Sequence, residues 1–325
     1  MKNLTYLFLA LIIFTSCDKF GSEDPLDFTD SISMGAGYAN DIFYSMGNGV
    51  VKTSPRDAWD IAFSTYRMSS TILINEGLGI KLYTYPHGDK DSWDDVDTTG
   101  IESWAPLYNS DTSWYFGAFD RNSTGHPDYG WGQYNDITHD VTGDSLFIIQ
   151  LSDGSSKKLF IESRAAGTNS FNIKYGALGE TATVKEIFCN ADTSKNFVYF
   201  SFASGETVDV EPDRDSWDIV FTKYHDESIP YIVTGILSNM DLEVAEVSQT
   251  DTDLADASTA DFSSHISVIG SDWKEFDMGT FSYVVQEDLC YFVKKAEDEI
   301  YKLVFTGTDG SASGKMVFDV EEVKN

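Results

Sequence analysis

The chain has 325 residues, with 53 Asp or Glu against 22 Lys or Arg, and a formal net charge of −31 at pH 7. A surface this acidic repels nucleic-acid phosphates and anionic lipid, which argues against a nucleic-acid-binding protein and against membrane binding through basic patches. A hydrophobic content of 42% is enough for packed cores and argues against an intrinsically disordered chain. The length corresponds to two domains of about 150 residues each.

The first 17 residues have the layout of a bacterial lipoprotein signal peptide. Lys2 supplies a positive charge, residues 4–14 form a short apolar run, and small residues precede Cys17. The run is shorter than the roughly 20 apolar residues of a membrane-spanning helix. The arrangement resembles a lipobox, in which Cys17 becomes the lipidated first residue; the alternative is a plain secretory signal with an incidental cysteine. Residues 18–30 are acidic and rich in turn formers, and they are predicted to form a flexible tether.

A stretch with the sequence Trp-Asp-Ile-Ala-Phe, residues 59–63, occurs again at residues 217–221 as Trp-Asp-Ile-Val-Phe. In both copies the Trp, Ile and Phe lie at alternate positions, which predicts a strand that buries one face. The copies are much farther apart than the roughly 40–45 residues of a propeller blade, so they indicate a duplicated domain. We expect each Trp to anchor a core of its own. We expect Asp60 and Asp218 on the opposite face, each accepting hydrogen bonds from a neighbouring loop.

The similarity extends on both sides of this stretch. Upstream, residues 41–47 parallel residues 197–203, and downstream Trp131 parallels Trp273. A hairpin pattern then follows in each copy, with two apolar runs separated by a polar turn.

These patterns predict an all-β protein made of two tandem antiparallel β-sheet domains with long loops. The first domain is predicted over residues 31–186 and the second over residues 187–325, because the copied segments fall within these limits. The aromatic-rich region 86–144 is typical of long loops that carry function or cap a sheet.

The chain resembles the HmuY family of β-rich haem-binding lipoproteins. The resemblance lies in residues 59–63, in residues 74–77 (Ile-Asn-Glu-Gly), and in the closing segment of residues 301–305 with Gly314 and Phe318. It covers both halves and therefore implies two tandem HmuY-like domains. It also implies outer-membrane lipidation, exposure at the cell surface, and capture of haem for a transport receptor of the TonB-dependent type. In that family a pair of loops supplies His or Met axial ligands, and these lie outside the matched motifs.

Haem requires one or two axial donors and an apolar slot for the ring. His87 and His126 lie beside Gly, Pro and aromatic residues in the predicted long loops, so they are the candidate haem ligands. Met68 in the first half, and His225, His265, Met240 and Met278 in the second, are further donors of the right type. For each single His, the alternative is a surface imidazole or a locally hydrogen-bonded one.

The sequence predicts no metal site and no catalytic residue. Residues 89–95 begin like a Ca²⁺ loop but lack the oxygen ligand and the Gly that such a loop needs at its fifth and sixth positions. A Gly-x-Ser-x-Gly nucleophile elbow is absent, and no carboxylate pair is singled out by its spacing. An enzyme is therefore not expected.

Two questions stay open at the level of the sequence. Cys189 and Cys290 either form a disulfide in an oxidising compartment or remain buried thiols. The alternative to haem capture is a carbohydrate- or protein-binding β module at the cell surface, whose exposed Trp and Tyr side chains stack on a partner.

Overall fold

The computed structural model describes residues 26–190, 193–229, 231–296 and 299–323. The signal peptide, Cys17 and residues 18–25 lie outside the described residues. Within them the regular structure consists of antiparallel strands and short 3₁₀ turns, so the predicted all-β class is confirmed. None of the described helical turns has the length and apolar character that a membrane span requires.

In chain order the strands are β1 (Asp27–Ser33), β2 (Asn40–Ser45), β3 (Gly49–Pro55), β4 (Ile61–Ser64), β5 (Ile72–Ile74), β6 (Lys81–Thr84), β7 (Gly132–Tyr134), β8 (Val141–Gly143), β9 (Leu146–Gln150), β10 (Ser156–Ala165), β11 (Ser170–Ala177), β12 (Thr183–Phe188), β13 (Phe197–Ser201), β14 (Glu206–Val208), β15 (Ile219–His225), β16 (Ile232–Ser238), β17 (Glu243–Ser248), β18 (Lys274–Asp277), β19 (Ser282–Val285), β20 (Leu289–Ala296), β21 (Glu299–Thr308) and β22 (Lys315–Val323). The 3₁₀ turns are Ala36–Tyr38, Arg56–Ala58, Glu76–Leu78, Lys90–Asp95, Ile101–Ser103, Ala118–Asp120, Arg214–Ser216, Thr252–Leu254, Ala257–Thr259 and Gly310–Ala312.

The strands form four main sheets. The first outer sheet has the order β12-β11-β10-β8-β7, with β9 also paired to β10 and β6 paired to β9. The first inner sheet is β14-β13-β4-β5, the second inner sheet is β16-β15-β2-β3, and the second outer sheet is β1-β22-β21-β20-β17. Strands β18 and β19 form a separate hairpin.

The four sheets are stacked as layers with three cores between them. Strand alternation divides the side chains of β4: Ile61 and Phe63 enter the first core, against the first outer sheet, and Ala62 enters the middle core. In β15, likewise, Ile219 lies in the last core, against the second outer sheet, and Val220 in the middle core. Side chains from both inner sheets fill the middle core, so the two inner sheets pack face to face.

The two copies of the repeat exchange strands. Strand β2 of the first copy pairs with β15 of the second, and β13 of the second copy pairs with β4 of the first. Strands β4–β14 therefore form one contiguous body, whereas β1–β3 join β15–β22 to form the other. The predicted division into successive domains at residues 186 and 187 is not confirmed, because each half contributes strands to the other body.

The predicted tether extends too far into the chain. Residues 27–30 belong to β1, whose partners on β22 are residues 318–321. Ile32 is buried and Phe28 packs partly against the same core, while Asp27 is exposed and Asp30 accepts a hydrogen bond from the Tyr44 hydroxyl at 2.8 Å. An edge strand with one face exposed to solvent can carry charged residues and still pair with its neighbour. The acidic composition of these residues therefore suggested a flexible segment although they form a strand.

Each repeated Trp lies on a different face from the Ile and Phe that follow it. The chain bends at Asp60 and at Asp218, just before β4 and β15 begin. As a result Trp59 and Trp217 both pack in the middle core, while Ile61 lies in the first core. The prediction of a separate core around each Trp is wrong. The indoles that each outer core buries completely are Trp131 in the first body and Trp273 in the second.

Candidate functional sites at the junction of the copies

Both repeated Trp residues are positioned by the same set of hydrogen bonds. The Asp60 carboxylate accepts a hydrogen bond from the Phe202 N–H at 2.6 Å, as predicted for a neighbouring turn. The Asn75 side chain donates to the carbonyl oxygens of Arg56 and Trp59 at 2.7 and 2.9 Å. These bonds fix the bend before β4 and turn the Trp59 indole towards the second inner sheet.

The second copy repeats this arrangement. The Asp218 carboxylate accepts from the Met46 N–H at 2.7 Å, and the Asn239 side chain donates to the carbonyl oxygens of Arg214 and Trp217 at 2.7 and 2.8 Å. Each carboxylate thus holds the turn that follows the exchanged strand of the other copy. The predicted structural role of the two Asp residues agrees with this geometry.

A cavity with a volume of about 80 Å³, here called the interlayer cavity, lies in the middle core. Aromatic side chains from both inner sheets line much of it. Trp59 packs edge-to-face on Tyr199 with ring centroids 4.9 Å apart, and Trp217 packs in the same way on Phe43 at 5.1 Å. The two copies therefore contribute equivalent walls.

Two buried glutamates also line the interlayer cavity. Glu211 accepts hydrogen bonds from the N–H groups of Asn196 and Phe197 and from the Tyr199 hydroxyl. Burial raises the pKa of the Glu211 carboxyl to about 7, and these donors oppose the shift. Glu76 is equally enclosed, and burial raises its pKa to about 8.

Glu76 connects the first copy to β15. Its carboxylate accepts from the N–H groups of Asn109 and His225, both at 2.9 Å. The His225 ring stacks on Tyr108 with centroids 3.9 Å apart, and burial lowers the pKa of this imidazole. A buried ion pair lies nearby, in which the Arg56 guanidinium is 2.7 Å from the Asp41 carboxylate. These contacts join the layers and leave the carboxylates satisfied.

A wider groove, here called the Met240 groove, opens at one edge of the same junction and has a volume of about 430 Å³. Both copies line it, with Tyr66 and Tyr115 on one side and Arg214, Met240 and Lys295 on the other. The rings of Tyr66 and Tyr115 meet edge-to-face at 6.2 Å. The groove therefore combines a thioether, two phenols and two cations with the carboxylates of Asp215, Asp218 and Asp241. It borders the interlayer cavity through Trp217, which lines both.

The corresponding groove in the other copy has a different chemistry. It has a volume of about 450 Å³ and is lined by Arg56 and Leu78, the counterparts of Arg214 and Leu242. Glu76 is the residue equivalent to Met240 in the sequence, but it does not line this groove and carries no thioether. The internal symmetry is thus broken at the residue most suited to bind a metal-containing ligand.

The structure does not bring His87 and His126 together. His87 is exposed, and its ring lies 5.6 Å from Tyr85 and 5.9 Å from Trp104. His126 is exposed in another loop, where Nε2 lies 3.1 Å from the Asp136 carboxylate. Each therefore has the local surface environment that was the alternative to a ligand role.

Other chemistry-bearing residues are separated as well. Cys189 and Cys290 are free buried thiols, one in the first core and one under the outer face of the second outer sheet. Burial raises the pKa of the Cys189 thiol to about 12. Among the described residues, no group of three or more His, Cys, Asp or Glu side chains is arranged to hold a metal ion.

The fold defines an all-β protein in which spaces of about 80 and 430 Å³ lie where the two repeated segments meet. Comparison of the chain with protein-family models, with curated proteins and with solved structures finds no match. The resemblance to the HmuY family therefore remains a prediction.

Proposed function

We propose that the protein is a non-catalytic, lipid-anchored surface protein that captures haem in the Met240 groove. The presence of the Met240 thioether in a groove of about 430 Å³ carries this proposal, because small-molecule and cofactor pockets measure roughly 300–1,000 Å³. The interlayer cavity, at about 80 Å³, is too small for a macrocycle. The residues present also fit the group, since a thioether or a phenol can ligate haem iron.

Met240 would hold the haem iron through its thioether, and Tyr66 and Tyr115 would supply aromatic surface for the ring. Arg214 and Lys295 would offer positive charge to the haem propionates, although Asp215, Asp218 and Asp241 line the same groove and Lys295 is 3.3 Å from the Asp218 carboxylate. Repulsion by the acidic surface is screened beyond about 8 Å at physiological salt, so only the charges inside the groove would act on the propionates at contact. When bound, haem supplies the iron centre, and the protein supplies its orientation and its shelter from water.

The broken symmetry predicts one haem per chain. The equivalent groove has no thioether, because Glu76 replaces Met240 in the sequence of the first copy and is held by two main-chain N–H groups. The second copy then supplies the thioether that binds haem, and the first copy completes the walls of the Met240 groove.

Localisation follows from the signal sequence. We expect Cys17 to carry the lipid and to make the only contact with the outer membrane, leaving the body exposed for transfer of haem to a TonB-dependent receptor. Cell fractionation tests the anchor: Cys17→Ser should move the protein from the membrane fraction to the released fraction. Equal membrane retention of both forms would remove this part of the proposal.

Titration of the full chain with haem, followed by absorbance, tests the binding function. A shifted Soret band that saturates at one equivalent is expected. In Met240→Leu the band should move or disappear, whereas Met278→Leu, a matched change at an exposed Met of the β18–β19 hairpin, should behave as the unmodified protein does.

His87→Ala and His126→Ala complete the comparison. Both should retain the Soret shift if the Met240 groove is the site. Loss of the shift in either His variant, with Met240→Leu unaffected, would relocate the site to that loop. Absence of any shift in the full chain, reduced or oxidised, would overturn haem capture and leave the carbohydrate- or protein-binding module as the better description.

A further inference from the structure

Two buried indole N–H groups at the interlayer cavity have no hydrogen-bond partner among the residues that the structure describes. They are Nε1 of Trp59 and Nε1 of Trp217, and both side chains line the cavity. Trp217 is only 3% exposed. Buried donors in proteins are nearly always paired, because an unpaired one loses its bond to water without replacement. Two equivalent unpaired indole N–H groups at one cavity therefore indicate that a bound molecule accepts hydrogen bonds from them.

Two other buried indole N–H groups of this fold do have hydrogen-bond acceptors. Trp114, which also lines the cavity, donates from Nε1 to the carbonyl oxygen of Ser238 at 2.8 Å. Trp131 donates to the carbonyl oxygen of Ser70 at 3.2 Å. Trp273 is unpaired too, but it stacks on Phe305 at 4.1 Å inside the last core. The pair at the cavity is distinguished by facing the same space from the two copies.

The charged groups of the cavity restrict the partner further. Asp41, Glu76 and Glu211 line it, with Lys223 as the cation on its wall. Each carboxyl already accepts hydrogen bonds or an ion pair from protein groups. An anionic ligand would lose its hydration beside three carboxyl groups, and a cationic one would find no unsatisfied carboxylate. The remaining capacity is for an uncharged molecule that supplies acceptors.

We propose that the interlayer cavity binds a small, uncharged, oxygen-rich molecule of the polyol or hydroxyketone class. One oxygen accepts from the Trp59 indole and another from the Trp217 indole, so the ligand joins the two copies. Its size is limited by the cavity volume of about 80 Å³, well below the roughly 150 Å³ of an engineered cavity that accepts benzene. This site takes a different ligand from the Met240 groove, which adjoins it at Trp217.

Indole N–H resonances of the ¹⁵N-labelled full chain provide the readout. Dihydroxyacetone is the probe, cyclopentane is the apolar comparison without acceptors, and glycerate is the anionic comparison. Saturable shifts of the Trp59 and Trp217 resonances with one Kd are expected for dihydroxyacetone. The Trp114 resonance, whose donor is already bonded, should move much less.

Substitution then separates the contributions. Trp59→Phe and Trp217→Phe should each weaken dihydroxyacetone binding roughly two- to tenfold, the range for one hydrogen bond. Tyr231→Phe, at an exposed position, should leave the Kd unchanged. If Trp217→Phe fails to fold, the affinity of Trp59→Phe and the two indole resonances of the unmodified chain still test whether dihydroxyacetone binds in the interlayer cavity.

Several results would overturn the proposal. These are tighter binding of cyclopentane or glycerate than of dihydroxyacetone, unchanged affinity in both Trp variants, or no indole shift with any probe. The last result would assign the cavity to water alone. None of them bears on the Soret titration, so haem capture and this second site stand or fall separately.

Discussion

The carboxylate of Asp218 accepts a hydrogen bond from the main-chain N–H of Met46 at 2.7 Å, and the two residues are 172 positions apart. Asp60 makes the equivalent bond to Phe202 from the other copy. The main chain adds to each contact, since the Asp60 N–H donates to the Phe200 carbonyl and the Asp218 N–H donates to that of Tyr44. Asp60 and Asp218 therefore stabilise the two exchanged strands, because each Asp holds the turn after a strand of the other copy.

Asp60→Ala should destabilise the fold by about 1–3 kcal/mol, because it leaves the Phe202 N–H without its acceptor. Haem binding should be retained, since Asp60 does not line the Met240 groove. Urea unfolding measures the first effect and the Soret titration the second. Asp57→Ala, at an exposed neighbouring position, is the control and should change stability by less than about 0.5 kcal/mol. Normal stability with lost binding would instead assign Asp60 to the ligand.

Stability should fall as the pH rises from about 4.5 to about 7, in part because of Glu211. Burial raises its pKa in the folded state to about 7 from an ordinary value of 4.5, so the folded chain holds a proton that the unfolded chain has released. The favourable contribution is complete below pH 4.5 and is lost as the pH passes 7, with a slope of at most about 1.4 kcal/mol per pH unit.

Urea unfolding across this range, compared between the unmodified chain and Glu211→Gln, isolates that contribution. The variant should show a shallower decline, while Glu180→Gln, at an exposed position, should keep the original slope. Parallel curves for all three proteins would mean that Glu211 is ionised in the fold throughout. Glu76, with its pKa raised to about 8, should extend a similar decline to higher pH.

Gly77→Ala should destabilise the protein by about 1–3 kcal/mol through overpacking. A Cβ at this position would lie 2.4 Å from the Lys223 carbonyl oxygen on β15, which is closer than atoms can approach. Gly167→Ala is the matched control, because a Cβ there meets nothing within 4 Å. Thermal unfolding of the two variants tests the difference. Equal melting temperatures would show that the turn at residues 76–78 moves away from β15 without cost.

Separate halves of the chain should recognise each other. A fragment ending at residue 181 contains β2 without its partner β15, and a fragment starting at residue 182 contains β13 without its partner β4. Co-expressed fragments should therefore copurify as a 1:1 complex with a native-like spectrum, as judged by light scattering and circular dichroism. Two independently folded, non-interacting monomers would be the outcome for simple tandem domains, and it would contradict the exchange.

Local sequence signals were sufficient for the strand content and for the repeat, because alternation and turn chemistry are properties of neighbouring residues. Trp131 and Trp273 were paired correctly as equivalent residues, and both are fully buried. Strand partners were not predictable, since β2 fits β4 and β15 equally well by pattern. The bend at Asp60 was also missed: it depends on a hydrogen bond to Phe202, which alternation in sequence cannot reveal.

The junction sites escaped sequence analysis for a related reason. Met240 was one of several possible donors, and nothing near it in the chain indicates that Tyr66 and Tyr115 lie across the same groove. Their proximity results from the exchange. One signal was available, because Asn75 recurs as Asn239 at the same place after the repeated strand. Aligning Asn75 with Asn239 places Glu76 opposite Met240, and this alignment reveals that only the second copy has a thioether at that position.

The closure of β1 onto β22 affects how the chain is made. The Leu26 N–H reaches the carboxylate of Glu322, 296 positions later. At about 5–20 residues per second a ribosome needs roughly 15–60 s to synthesise that length. During this interval β1 is a nascent strand with an open edge, and we expect Asp27 and Asp30 to discourage two growing chains from pairing there. Negative charge near the beginning of the chain would thus protect the protein before its last strand exists.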